Sequence, residues 1–330
     1  MSAGAVATEL EQVAEQIRSG ERFLLTTHEG PDGDALGSLL AMHQVLGALG
    51  KDSVMFLAAK EFPLPIEYRY LALEEVFHEP PADLADRTVI FLDCGNIDRM
   101  PVDFLQQGGM QVLNIDHHHD NTRFGTVNLV DVEASCTAEI VYELLGTLGV
   151  SLTPGIASAL YVGLITDTGR FMYANTDERS HRVAAELIEA GVDVHDHFRR
   201  LYEHVPLAKL QLIARALGNI ELACDGQIAV TYISEADYEA VGASEELTEG
   251  VIDYVRSIEG IRLAAAIRDT GAGSKKARKA SLRSSDGTID VSEIARKQGG
   301  GGHARAAGFS TDETYESVVE YICQEVNRQL

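Results

Sequence analysis

Four short segments of this chain each end an apolar run in acids or histidines. They read HEGPDGDALGS (His28 to Ser38), FLDCGNIDR (Phe91 to Arg99), NIDHHHDN (Asn114 to Asn121) and LITDTGRF (Leu164 to Phe171). Carboxylates combined with imidazoles suit a hard-to-borderline cation such as Mn²⁺ or Mg²⁺ better than structural zinc. In the first segment Pro31 sets φ and Gly33 supplies a permissive backbone, so His28, Asp32 and Asp34 can project from one tight turn. Taken alone, that turn reads equally well as an Asp-rich helix cap. Asp93 and Asp167 are each also readable as turn residues. Asp116-His117-His118-His119 is harder to assign to packing, because three consecutive histidines follow a buried run. Together, His28, Asp32, Asp34, Asp93, His117 and Asp167 provide six ligands, enough for two cations sharing one carboxylate. Such a pair activates water and stabilises charge on a phosphate ester, so metal-assisted phosphate ester hydrolysis is the chemistry expected.

The elements that must carry these residues follow from the hydrophobic pattern. RFLLTTH, KDSVMFLA, TVIFLDC and MQVLNID read as short strands. Residues 4–18, 34–49, 134–148 and 154–165 read as helices. Strands alternating with helices predict an α/β fold with a mostly parallel, doubly wound sheet, whose carboxyl edge gathers ligands. Residues 177–217 look helical throughout, with GVDVHDHF (Gly191 to Phe198) as a turn. QIAVTYIS, RLAAAIRDT and KASLRSSDG then read as strands, and EELTEGVIDYVRSI and ETYESVVEYICQEVNRQL as helices. The expected organisation is a catalytic domain over 1–188, a helical linker over 189–218 and a smaller α+β domain over 219–330. The glycine run ending at His303 reads, from composition, as a loop.

Composition bounds the partners. With 51 acidic against 27 basic side chains the net charge is −24, which repels a long polyanion while leaving short phosphorylated ligands admissible. The apolar runs are too short to span a bilayer, and the N-terminal stretch has no signal-like apolar core, so a cytoplasmic, non-membrane protein is expected. The four cysteines (Cys94, Cys136, Cys224, Cys323) form no CxxC pair and are expected to be reduced thiols.

The four segments, in this order, resemble the DHH phosphoesterase superfamily, whose name is spelled here by Asp116 to His118. GGGH at Gly300 to His303 resembles the DHH-associated C-terminal domain, so the likeness covers nearly the whole chain. Size and layout are most similar to the bacterial nanoRNase and adenosine 3′,5′-bisphosphate phosphatase group. The resemblance implies two Mn²⁺, with Mg²⁺ as a substitute. His28, Asp32 and Asp93 would hold one ion, and Asp34, Asp93, His117 and Asp167 the other, with Asp93 bridging. It places His118 against the scissile phosphate as a catalytic residue beside Asp93, and leaves His119 without a role. Arg283, Gly301, Gly302 and His303 would grip a terminal phosphate. The implied activity is hydrolysis of short RNA from an end and of adenosine bisphosphate to AMP, in a homodimer. A cyclic dinucleotide phosphodiesterase and a non-enzymatic nucleotide sensor are the competing expectations.

Overall fold

The four apolar runs of the first half form β1 (Arg22–Thr26), β2 (Asp52–Met55), β3 (Thr88–Leu92) and β4 (Val112–Asp116). In this computed structural model, which describes residues 3–73, 75–100, 102–106, 109–203, 205–271 and 274–330, a fifth strand β5 (Val127–Val130) joins them. All neighbours pair in parallel, in the order β2-β1-β3-β4-β5. The strand order reverses between β1 and β3, the position where doubly wound sheets open a ligand crevice at their carboxyl ends. Alternation along the strands separates two cores. Phe23, Leu25, Ile90, Leu92, Leu113 and Ile115 pack with α1 (Ala3–Ser19), α2 (Gly33–Ala48), α4 (Thr137–Leu148) and α5 (Pro154–Asp167). Leu24, Val89, Phe91 and Val112 face the other way, towards Met100 and Leu105, the latter on α3 (Asp103–Gln106).

Two local expectations change. Helix α4 begins at Thr137 instead of Ala134, because the Ser135 amide donates to the Glu139 carboxylate and Cys136 stays extended. The stretch expected to be helical over 177–217 with a turn over 191–198 does break there, but more briefly: α6 (Glu178–Glu189) is followed by α7 (Val194–Phe198), a π turn (Arg199–Glu203) and α8 (Leu207–Gly218). Asp193 caps α7 by accepting from the Asp196 amide, and Pro206 can only precede a new helix. The 177–217 stretch and the expected linker over 189–218 both contain His204, which lies outside the described residues. By internal contacts the chain divides into Met1–His204 and Val205–Leu330. No helix among the described residues is long and apolar enough to cross a membrane.

The second unit is built on a six-stranded sheet of β6 (Glu221–Ala223), β7 (Ile228–Ile233), β8 (Leu263–Asp269), β9 (Arg278–Ser284), β10 (Gly301–His303) and β11 (Ala306–Thr311). Its order is β10-β11-β9-β8-β7-β6, with only β7 and β8 parallel. Ile228, Val230, Leu263, Ile267, Leu282 and Phe309 pack on one face against α11 (Val291–Arg296) and α12 (Tyr315–Gln329). On the other face, Ala229, Ala264 and Ala266 meet α10 (Val251–Arg256), while α8 packs near α9 (Glu235–Val241). The cysteine expectation holds for Cys94 and Cys136, which are free and buried. It fails for Cys224 and Cys323, whose Cα atoms lie 5.7 Å apart and which are joined by a disulfide 99 residues apart in sequence. Only the tertiary fold, bringing the turn after β6 to α12, makes that pair visible.

The glycine run is an ordered hairpin, not a loop. Gly302 has φ +135°, and a Cβ there would lie 2.4 Å from the Ala306 carbonyl oxygen. Backbone approach of this kind excludes every side chain. Gly302→Ala is expected to destabilise the protein by about 1–3 kcal/mol, read from its urea unfolding midpoint.

Candidate metal centre

Each ligand is delivered by the end of an element. His28 follows β1, and its Nδ1 lies 2.9 Å from the Glu29 carbonyl oxygen, which makes Nδ1 the protonated nitrogen and leaves Nε2 as the donor atom. Asp32 caps α2, accepting from the amides of Asp34 and Ala35 at 3.0 and 3.1 Å. The capping role is therefore observed, and it leaves Asp32 close enough to His28 and Asp93 for the expected ligand role as well. Asp34 enters the first turn of α2 and is almost wholly buried. Its Oδ2 accepts from the Thr137 amide at 2.6 Å and its Oδ1 from the Ala138 amide at 2.9 Å, so the N-terminus of α4 holds it.

Asp93 leaves β3 with φ 57°, a left-handed conformation that costs a non-glycine residue energy and marks functional sites. That turn aims its side chain across the sheet edge. His28 Nε2 lies 3.5 Å from Asp93 Oδ2, and His117 Nε2 lies 3.6 Å from Oδ1. The Thr137 hydroxyl donates to the same Oδ1 at 3.1 Å. Asp167 ends α5, its Oδ2 3.8 Å from His117 Nε2. Candidate ligand atoms of His28, Asp32 and Asp93 all lie within 4.8 Å of one another, and so do those of Asp34, Asp93 and His117. Asp93 belongs to both sets. All six ligands expected from the sequence therefore come together at one end of the sheet. His119 is exposed.

The spacing of α2 and α5 depends on glycine. A Cβ on Gly163 would lie 2.7 Å from Asp34 Oδ1 and 2.7 Å from the Ala138 Cβ. Across from it, a Cβ on Gly37 would lie 2.5 Å from the Ala159 carbonyl. Only two bare backbones allow the helices to bring Asp34 and Asp167 to the same edge.

Sequence reasoning missed several supports. Asp116 is fully buried and bonds His118 Nδ1 at 2.7 Å, while Asn121 donates to its other oxygen. Asn114 links Asn121 to the Cys94 carbonyl. Arg99 Nη1 lies 3.2 Å from His118 Nε2. An arginine can only donate, so the two contacts fit the His118 tautomer whose Nδ1–H faces Asp116 and whose Nε2 accepts from Arg99. Arg99 closes the same segment as Asp93, and that proximity was the signal available. Nothing in the pattern around Thr137 marked it.

The electrostatics are those of a site built for cations. Burial, then the negative charge of Asp93, pushes the Asp34 carboxyl well above its usual range. Burial raises Asp167 to about 7, against the pull of His117. Burial opposes ionisation of Asp93, but the imidazoles of His28, His118 and His117 around it outweigh burial and hold that carboxyl well below the usual range. Burial disfavours a proton on His117, yet Asp167, Asp93 and Asp34 raise it to about 9. Protons thus neutralise the cluster, and a divalent ion would replace them. The gaps of 3.5 to 3.8 Å exceed hydrogen-bond length but match two donors each about 2.1 Å from a shared ion. The residues present fit a hard-to-borderline divalent cation. Cys94 takes no part, its thiol pushed up to about 12 by burial.

In the second unit, Arg283 on β9 sits opposite Ala306 on β11, and Ala306 opposite His303 on β10. Paired residues share a face, so Arg283 and His303 project from the same side, with Gly301, Gly308 and Ser281 in the next row. Gly302 falls in the opposite register with Ala307 and Leu282, on the core side. The structure therefore gathers Arg283, Gly301 and His303 but not Gly302. Arg268 joins that face and lines a small cavity with Ser281 and Arg283.

A parallel sheet whose switch point gathers carboxylates and imidazoles around one shared aspartate carries a candidate divalent-cation centre of the DHH type. Residues 22–164 match the DHH family, N-terminal domain, and residues 225–330 the DHHA1 domain. The chain belongs to this family. It is 33% identical to the bifunctional oligoribonuclease and PAP phosphatase NrnA of Thermus thermophilus, over 96% of this chain and 94% of that protein. An exopolyphosphatase-related protein from Bacteroides fragilis shares the fold with TM-score 0.85 at 21% identity, covering 98% of this chain and 96% of that one. Thermus thermophilus RecJ in complex with Mn²⁺ is a more distant likeness, with TM-score 0.56 at 18% identity, covering 97% of this chain and 55% of that one.

Two outcomes follow from the geometry. Gly163→Ala forces Asp34 from its place, and is expected to weaken Mn²⁺ binding, measured by calorimetry, while lowering stability by about 1–3 kcal/mol. Because His117 is protonated up to about 9 and Asp167 up to about 7 without a cation, Mn²⁺ affinity should rise from pH 6 to pH 8. Calorimetry in buffers of different ionisation enthalpy should show protons released on binding.

Proposed function

We propose that this protein is a phosphoric ester hydrolase that cleaves short oligoribonucleotides from an end and converts adenosine 3′,5′-bisphosphate to AMP. The observation that carries the reading is Asp93, held in a strained turn and shared between two ligand sets, in a chain that aligns end to end with a relative named for both activities. His28, Asp32 and Asp93 would hold one divalent ion and Asp34, Asp93, His117 and Asp167 the other. Manganese is the ion proposed, with magnesium as substitute. When bound, the pair supplies Lewis acidity and a water of lowered pKa.

The chain's own groups do the rest. The α4 amides fix the direction of Asp34, and Thr137 fixes Asp93, so neither carboxylate reorganises during reaction. Asp116 locks His118 in one tautomer beside the cluster, where its ring can contact the scissile phosphate. The oxygen of water bonds to phosphorus as the bond to the leaving ribose oxygen breaks, and that oxygen takes up a proton. Arg283, with the glycine backbone at Gly301 and the His303 ring, is proposed to bind the substrate's terminal phosphate, and Gly302 to shape that hairpin. A guanidinium fork and exposed amides are suited to such an anion.

The test is a product-resolved comparison of Mn²⁺-loaded protein on a 5′-phosphorylated RNA dinucleotide, adenosine 3′,5′-bisphosphate and cyclic di-AMP. Turnover of the first two, abolished in Asp93→Ala together with Mn²⁺ binding, is expected. Dominant cyclic dinucleotide cleavage would replace this reading with a signal-degrading phosphodiesterase, and no turnover with ligand binding would replace it with a sensor. Arg283→Ala should raise KM for the dinucleotide about ten- to a hundredfold with a smaller change in kcat.

A further inference from the structure

Arg99 is an exposed arginine without a carboxylate partner among the described residues, in a protein of net charge −24. Several other arginines in this unit are ion-paired, among them Arg18, Arg22, Arg87 and Arg179, while Arg170 lies over the Tyr202 ring. Its position is nevertheless fixed. Asn96 caps the turn that carries it, and the Arg99 carbonyl accepts from the Glu29 amide at 2.7 Å, one residue beyond His28. One guanidinium nitrogen rests on His118 Nε2 at 3.2 Å, and His118 is braced in turn by the fully buried Asp116. A long, costly-to-order side chain has been tethered by one nitrogen while its remaining N–H groups face solvent.

Charge balance identifies what they face. The carboxylates of Asp32, Asp34, Asp93 and Asp167 would just balance two divalent cations, which leaves the buried Asp116 carboxylate behind His118 uncompensated by them. An incoming phosphate diester brings negative charge, and more develops as the attacking and leaving oxygens share phosphorus. We infer that Arg99, held by the Asp116–His118 pair, donates to a non-bridging oxygen of the reacting phosphate and stabilises the charge that grows there. This rests on the phosphoesterase reading above and adds a catalytic residue to it. It also recasts His118: with Nε2 accepting from Arg99, the imidazole aims the guanidinium as well as lying beside the phosphate.

The experiment uses the full-length, Mn²⁺-loaded protein and the Arg99→Gln and Arg99→Lys variants. Arg99→Gln should lower kcat for the RNA dinucleotide by about a hundredfold or more, with Arg99→Lys intermediate and added methylguanidinium restoring part of the rate. Calorimetric Mn²⁺ stoichiometry should match wild type, and the affinity of the Mn²⁺-loaded protein for orthovanadate should fall at least about tenfold. In the metal-free protein, the ¹⁵N resonance of His118 Nε2 should shift in Arg99→Gln. Unchanged kcat and vanadate affinity overturn the assignment, and so does loss of Mn²⁺ binding, which would make Arg99 a support for the ligands. If wild type turns over no nucleotide, the phosphoesterase reading fails, and the vanadate comparison still decides whether Arg99 binds a phosphate-like anion.

Discussion

Four carboxylates, two of them buried, cannot crowd one sheet edge unless the buried ones are held by donors stronger than their repulsion from the others. Transferring an ionised carboxylate out of water costs several kcal/mol even after relaxation. Here the N-terminus of α4 meets much of that cost. Its first amides bond both oxygens of Asp34, and the Thr137 hydroxyl bonds Asp93, so one helix end joins acids that arrive from β1 and β3. That joint exists only because α5 packs against α2 at glycine distance. Loosening it would release Asp34 from the amides and leave a buried charge unpaired.

The topology explains why these acids meet at all. Because β1 and β3 are adjacent while their following segments depart to opposite faces, their carboxyl ends leave an open crevice between them. The left-handed turn at Asp93 then points a side chain into that crevice, not along the sheet. Its backbone remains tied, with the Asp93 amide donating to Ile115 at 3.0 Å. The strain is affordable because β3, β4 and the Thr137 hydroxyl together determine the conformation.

How much of this could be read from residues alone follows from the same physics. The ligands were legible because each terminates an apolar run, and a run of that kind ends where the strand or helix reaches the rim. Strand β5, four residues beside a sheet edge, carries too short a pattern to announce itself. The α4 start was misplaced because the Ser135–Glu139 bond imitates a helical turn in composition while keeping Cys136 extended. Glycine hid β10, since a residue without a side chain contributes no alternation even when close pairing with β11 demands it. The Cys224–Cys323 bond and the Arg99–His118 contact join elements by tertiary placement, which no local spacing encodes.

The acidic surface and the two basic features answer different ranges of the same force. At physiological salt, interactions beyond about 8 Å are largely screened, so −24 charges act on an approaching anion mainly through whatever acid lies near its path. A short nucleotide has few phosphates, and on the roles proposed above those would be met at contact distance by Arg99 in one unit, or by Arg283 in the other. Counterion release, the usual source of affinity for long nucleic acid, needs many cationic contacts along the chain. On the function proposed above, a net charge of −24 therefore adds an electrostatic bias towards short substrates to whatever the shape of the site imposes.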